Sequence, residues 1–142
     1  MPDRLTLTSL PAKEGDCLLV SWGEQPRRHI LIDGGRAWTY KNALADHLES
    51  EGISELELVV VTHVDRDHID GILAFLSDSR SRVKVRNVWF NSWDHLNGNA
   101  IVTEQIDEGI ESFGARMGEA ITPLILERGW PWNRQFDGWP VE

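Results

Sequence analysis

The chain has a single cysteine in 142 residues, so no internal disulfide can staple it and its stability must come from a packed core. That cysteine, Cys17, stands in the apolar segment CLLVSW, where a buried small side chain is expected rather than a nucleophile or a ligand. No apolar run approaches the roughly 20 residues of a membrane span. The N-terminal MPDRLTLTSLPAKEGD also lacks the apolar stretch of a signal peptide. A cytoplasmic protein with no membrane partner is the expectation. Basic residues are scarce as well: 14 Lys and Arg against 23 Asp and Glu give a formal charge of −9 and a pI near 5.0, which repels phosphate backbones from a passive surface. Nucleic acid is then expected only as a substrate. Repeats, low-complexity tracts and linkers are missing too, so residues 1–142 read as one domain.

What is present reads as the order β-β-β-α-β-α-β. Leu5 to Leu10, Cys17 to Trp22 and His29 to Asp33 are three short strands separated by turn residues, the last ended by Gly34 and Gly35. Tyr40, Ala43, Leu44, His47 and Leu48 share a helix face, with Thr39 as the expected N-cap and Gly52 as the stop. Leu58 to Val61 is apolar without alternation, as in a strand covered on both faces. Ile69, Ile72, Leu73 and Leu76 recur at helical spacing, and Val83 to Phe90 reads as one further strand. Beyond it, Ile106, Ile110, Phe113, Met117, Ile121 and Leu124 form a helical stripe interrupted by glycines and Pro123. Thr122 and Pro123 suggest the start of a short helix running to Arg128 and closed by Gly129, and Trp139 to Val141 has the composition of a last strand.

The segment VVVTHVDRDHIDG, Val59 to Gly71, carries the chemistry. A buried strand stops and delivers His63, Asp65, Asp67 and His68 within six positions, all of them side chains that bind first-row metals. On an extended loop His63, Asp65 and Asp67 project to one side, with His68 turned in as the helix starts. The plain alternative is a solvated turn in which Asp67 or Asp70 caps the helix. Asp33 is either a turn residue bonded to its own backbone or a carboxylate that orients a metal-bound histidine. His95 and Asp94 read as a surface loop, with substrate contact or a substitute metal-ligand role as the alternative; His29 and His47 read as ordinary packing residues. Trp93, Trp130 and Trp132 read as core or partner-facing mass, with a cleft lining as the alternative.

The pattern HxDxDH at His63 to His68 resembles the loop of the metallo-β-lactamase superfamily, whose usual form is HxHxDH. The aspartate variant is similar to the metallo-hydrolase domain of DNA-uptake competence proteins. Gly15 and Asp16 before one strand, and Asp33, Gly34 and Gly35 after the next, add to the resemblance, which covers roughly the first half of the chain. It implies an α/β (α+β) fold, the N-terminal αβ half of an αββα sandwich: a mixed sheet with flanking helices, apparently incomplete at its C-terminus. His63 and Asp65 would match a first metal position and Asp67 and His68 a second, with Asp67 also the candidate catalytic carboxylate. The remaining ligands of the family come from later loops. The cofactor implied is one or two divalent transition metals, zinc first; the carboxylate of Asp65 shifts preference somewhat toward manganese or iron.

The leading reading is therefore an enzyme, a metal-dependent hydrolase in which a metal-activated water attacks an ester or phosphodiester, small-molecule or nucleic acid. The competing reading is a non-catalytic half-domain that needs a second copy or a partner chain to cover its open half. Direct nucleic-acid binding without chemistry comes third, because of the acidic balance.

Overall fold

The computed structural model describes residues 4–98 and 120–142. Its strands are β1 (Thr6–Ser9), β2 (Leu18–Trp22), β3 (Arg28–Ile32), β4 (Glu55–Leu56), β5 (Leu58–Val60), β6 (Lys84–Val85) and β7 (Val88–Trp89). Five of them form a mixed sheet in the order β1-β2-β3-β5-β7, while β4 and β6 make a separate parallel pair. β1 and β3 flank β2 antiparallel, as short turns allow. β3, β5 and β7 are parallel, which requires a crossover between each pair. Those crossovers are α1, residues 37–50, and α2 (Arg66–Ser77). Because successive right-handed crossovers step the same way along the sheet, both helices fall on one face. There Leu19, Leu31, Val59 and Val88 pack with Leu44, Leu48, Ile72 and Phe75 in one buried cluster. The protein is thus mixed α+β, and among its described residues no helix is long and apolar enough to cross a membrane.

Helix α1 begins α-helical at Ala37–Thr39, widens to a π-helical turn over Tyr40–Leu44 and returns to α geometry at Ala45–Ser50. Thr39 is not its N-cap. Arg36 holds that position, and the Thr39 hydroxyl, inside the helix, donates towards the carbonyls of Pro11 at 3.1 Å and Ala12 at 3.3 Å, tying the β1–β2 loop to the helix. Gly52 stops the helix as expected. At φ 65° it lets its own N–H reach the Glu49 carbonyl and that of Ile53 reach Leu48, a Schellman closure.

Helix α2 buries Ile69, Ile72, Phe75 and Leu76. Its C-terminal carbonyls are met by α4 (Ile121–Arg128): the Arg128 guanidinium donates to Leu76 O at 2.9 Å and Asp78 O at 2.7 Å. Thr122 is the second residue of α4 rather than its cap, and Ala120 takes the cap position; Gly129, at φ 65°, ends the helix as expected. A short helix, α3 (Trp93–Leu96), precedes residues 99–119. The stripe from Ile106 to Met117 lies outside the described residues.

Two expected strands differ. Val83 to Phe90 is split, because β6 pairs with β4 and β7 with β5. The step falls at Asn87, whose side-chain oxygen accepts from the next backbone N–H at 3.0 Å and so satisfies the chain locally. Trp139 to Val141 forms no strand. Instead the backbone of Pro131 to Asn133 borders β7, Val88 N donating to Pro131 O and Asn133 N to Val88 O at 2.8 Å, and beyond the strand Asn133 bonds both N–H and C=O of Phe90 at 3.0 Å and Asn91 both polar groups of Val141 at 2.8 and 2.9 Å.

Candidate functional site

Three segments meet at the carboxyl ends of the parallel strands β3 and β5, where crevices in open α/β sheets characteristically form. The first is Asp33-Gly34-Gly35 after β3. Asp33 sits at φ 56°, a left-handed conformation that aspartate tolerates better than most residues. The turn lies hard against α2: Gly34 N donates to His68 O at 2.9 Å and Gly71 N to Gly35 O at 2.8 Å. A Cβ on Gly71 would stand 1.8 Å from Gly34 O, so glycine there is a condition of contact. The second segment is the loop before β2, where a Cβ on Gly15 would stand 1.8 Å from the carbonyl oxygen of Asp67. The third is Thr62 to His68 itself.

Asp33 holds the assembly together from within. Its side chain is 2% exposed, and it accepts from Thr62 N at 2.8 Å, from Thr62 Oγ1 at 2.5 Å and from His68 Nδ1 at 2.9 Å. It makes contact with the Thr62 to His68 segment rather than with its own backbone turn. Because a carboxylate only accepts, His68 carries its proton on Nδ1 and turns Nε2 outward. Burial alone would pull the His68 pKa down; the hydrogen bond and charge of Asp33, helped by Asp67 and Asp16, outweigh it and hold the imidazole above its ordinary 6.5.

Around that fixed imidazole the structure groups the four loop side chains in pairs. Asp67 Oδ2 lies 3.7 Å from His68 Nε2, and Asp65 Oδ2 lies 3.5 Å from His63 Nδ1. The two imidazole rings lie 3.8 Å apart, centroid to centroid. Asp65 is the N-cap of α2 by position, yet its carboxylate makes no capping bond. Asp67 and Asp70 are not caps either: Asp67 faces His68, and Asp70 lies 3.4 Å from the Arg66 guanidinium one turn away. The expected convergence of His63, Asp65 and Asp67 on one side is interrupted because α2 already begins at Arg66, placing Asp67 in a helical first turn.

The donor chemistry suits a divalent cation pairwise. Ligands about 2.1 Å from a tetrahedral ion are about 3.4 Å apart, close to both spacings. Among the described residues no three His, Cys, Asp or Glu side chains stand together as a finished cluster. The loop is open to solvent, and a cleft of about 730 Å³ lies elsewhere, lined by Thr6, Ser21, His29 and His47 among others.

Other candidates resolve differently. His95 is not on a surface loop: it is 2% exposed, its Nδ1 accepts from Ser92 N at 3.0 Å, and its Nε2–H donates to Gly138 O at 3.0 Å. His29 is buried beside Ser21, Oγ to Nδ1 2.8 Å, and its pKa is lowered by burial and then by the charges of Arg27 and His47. Trp132 is core, its indole N–H on Phe90 O at 2.8 Å; Trp130 packs on Phe75 with centroids 5.5 Å apart. The Cys17 thiol is buried and pushed up to about 12, first by burial and then by Asp33. Thr62 was not a candidate from sequence, although a hydroxyl directly before the first loop histidine was the available signal.

No protein-family model matches the chain, and no curated protein matches it.

Proposed function

We propose that the chain carries the metal-holding loop of a metal-dependent hydrolase of the metallo-β-lactamase type, on the N-terminal αβ half of an αββα sandwich. One observation supports this reading above the others: Asp33 fixes His68 so that Nε2 faces the Asp67 carboxylate, at the carboxyl edge of two parallel strands. Once its Nε2 has given up its proton, an imidazole held in this way is a preformed ligand. His63 with Asp65 would hold one position and Asp67 with His68 the second. A divalent ion bound there supplies Lewis acidity and lowers the pKa of water for attack on an ester or phosphodiester. The residues supply the rest. Asp33 keeps the His68 proton on Nδ1, Asp67 stands where it can accept a proton from an incoming nucleophile, and the Gly15 contact holds the Asp67 backbone in place. Zinc fits the imidazoles best, and the two carboxylates admit manganese or iron.

The test is metal binding first and turnover second. Chelator-treated protein titrated with zinc or manganese should take up stoichiometric metal, and His68→Ala or Asp67→Ala should weaken uptake by at least about 10-fold. Hydrolysis of a chromogenic phosphodiester would then identify the substrate class. Absence of stoichiometric uptake of either metal would sink the reading.

A further inference from the structure

The helix-covered face of the sheet changes character along the strands. Leu19, Leu31 and Val59 lie side by side across β2, β3 and β5 and are packed beneath the helices. Two residues nearer the amino end of β3, on the same face, the row becomes Thr6, Ser21 and His29. These polar side chains line the cleft of about 730 Å³, together with the carboxyl end of α1 and the turn between β2 and β3. His29 opens β3 and Asp33 follows its end, so the cleft and the Thr62 to His68 segment lie at opposite ends of the strand.

His29 is 9% exposed, and its Nδ1 is engaged, 2.8 Å from Ser21 Oγ. Its Nε2 has no partner among the described residues, and because no buried side-chain nitrogen or oxygen among them goes unpartnered, that atom is open to the cleft. A buried ring that presents one bare nitrogen to a cavity is a bonding position for whatever enters it. The charges around it differ from those of the whole chain. Against an overall −9, the cleft is lined by Arg4, Arg27, Arg28 and Arg86 facing Glu51, Glu55 and Glu57, a net of +1. Arg86 lies 2.7 Å from Glu55 and 3.9 Å from Glu57, and Arg28 lies 3.9 Å from Glu57. Arg27 donates to Thr6 Oγ1 at 2.5 Å, and among the described residues neither it nor Arg4 forms an ion pair. The volume falls in the range of small-molecule sites, about 300–1,000 Å³. Among the described residues no Phe, Tyr or Trp lines it, so it offers no platform for a nucleobase or other aromatic ring.

We propose that this cleft binds a small, hydroxyl-rich, non-aromatic anion, its phosphate or carboxylate group held by Arg27 and Arg4 and its hydroxylated body lying over His29. Guanidinium forks match phosphate and carboxylate oxygens two bonds at a time. Burial and the charges of Arg27 and His47 hold the His29 pKa below its ordinary 6.5, so the ring is neutral at pH 7. A hydroxyl both donates and accepts and therefore bonds Nε2 in either neutral tautomer; Glu51, whose charge also reaches His29, accepts from a second hydroxyl. The site is independent of the hydrolase reading, since it shares no residue with the loop.

Chelator-treated full-length protein, in about 0.1 M salt to screen diffuse attraction, is titrated with glucose 6-phosphate, gluconate and glucose. At least one of the two anions should bind with a Kd below about 1 mM, and glucose at least about 10-fold more weakly. The tighter anion identifies phosphate or carboxylate as the group recognised. Ring resonances of His29 should move on binding while those of the buried His95 stay in place. Arg27→Gln and Arg4→Gln, at exposed positions that leave the core untouched, should each weaken binding about 10-fold, and Arg82→Gln, exposed and outside the cleft, should not. Failure of both anions to bind below about 1 mM overturns the proposal. Equal binding of glucose, binding indifferent to both cleft variants, or His29 resonances that do not respond would do the same.

Discussion

Asp33→Asn is the most informative single perturbation, because it removes one charge and almost no volume. Backbone strain is not introduced, since asparagine tolerates the φ of 56° as aspartate does. The amide orientation is forced: Thr62 N, 2.8 Å from Oδ1, can only donate, so the new amide oxygen must stay there. The amide nitrogen then replaces Oδ2, between the Thr62 hydroxyl and His68 Nδ1. It can donate to both, but only if His68 gives up the Nδ1 proton and carries it on Nε2 instead. That reverses the tautomer and removes the outward lone pair. Losing charge-assisted bonds at a buried site costs about 1.5–3 kcal/mol, a drop in Tm of roughly 5–10 °C for a chain of this size. Metal affinity should fall about 10- to 100-fold through the wrong tautomer. Nitrogen-15 shifts of the His68 ring report the proton's position, and calorimetric zinc titration reports affinity. A variant that keeps the Nδ1 proton and binds zinc as the wild type does would refute the argument.

The glycine contacts give a graded series. Gly15→Ala and Gly71→Ala should each cost about 3 kcal/mol or more, because their Cβ atoms meet backbone at 1.8 Å, whereas Gly52→Ala, with open space around it, should cost only the left-handed penalty of about 1–2 kcal/mol; denaturant melts rank them. The lowered pKa of His29 means the folded state prefers it neutral, so its contribution is present above the ordinary 6.5 and is lost as pH falls through the folded value. The Tm should therefore decline more between pH 7 and 5 in the wild type than in His29→Gln. His68 acts in the opposite sense, its raised pKa giving stability below 6.5 that disappears as pH rises through the folded value; a stability profile of His68→Gln, flatter on the alkaline side, checks it. Cys17, with its thiol pushed up to about 12, should resist a thiol reagent at pH 8 until urea is added; rapid native labelling would contradict the burial.

Strand order was legible because apolar alternation and glycine turns are local signals, and β1, β2 and β3 start or end within one or two residues of where composition places them. Threonines near helix starts misled twice. A hydroxyl that caps a helix and one that ties a distant loop are the same letter, and Thr39 is engaged with Pro11 and Ala12, 28 and 27 residues earlier in sequence. His95 was misplaced for a related reason: its polar neighbours suggested a surface, but its burial depends on Trp132 and on Gly138, 43 residues later. The loop residues could be named from sequence as a set of ligand types. Their pairing, His63 with Asp65 and Asp67 with His68, follows only from the family resemblance; the geometry behind it, where α2 begins and how Asp33 reaches His68 across 35 residues, has no local signal.

The exposures along the loop define a gradient of burial over a few residues. Asp33 is 2% and His68 12% exposed, bonded on a framework closed by Gly34 and Gly71; Asp67 is 35%, His63 45% and Asp65 75% exposed. An ion arriving at this edge would meet one imidazole already oriented, with little left to order, and two side chains whose rotamer freedom must still be given up. Capture would thus proceed in sequence, from the anchored end outward. If the loop holds an ion as proposed, exchange would start at the exposed Asp65 and His63, so these two side chains, rather than Asp67 and His68, would govern how fast it is lost.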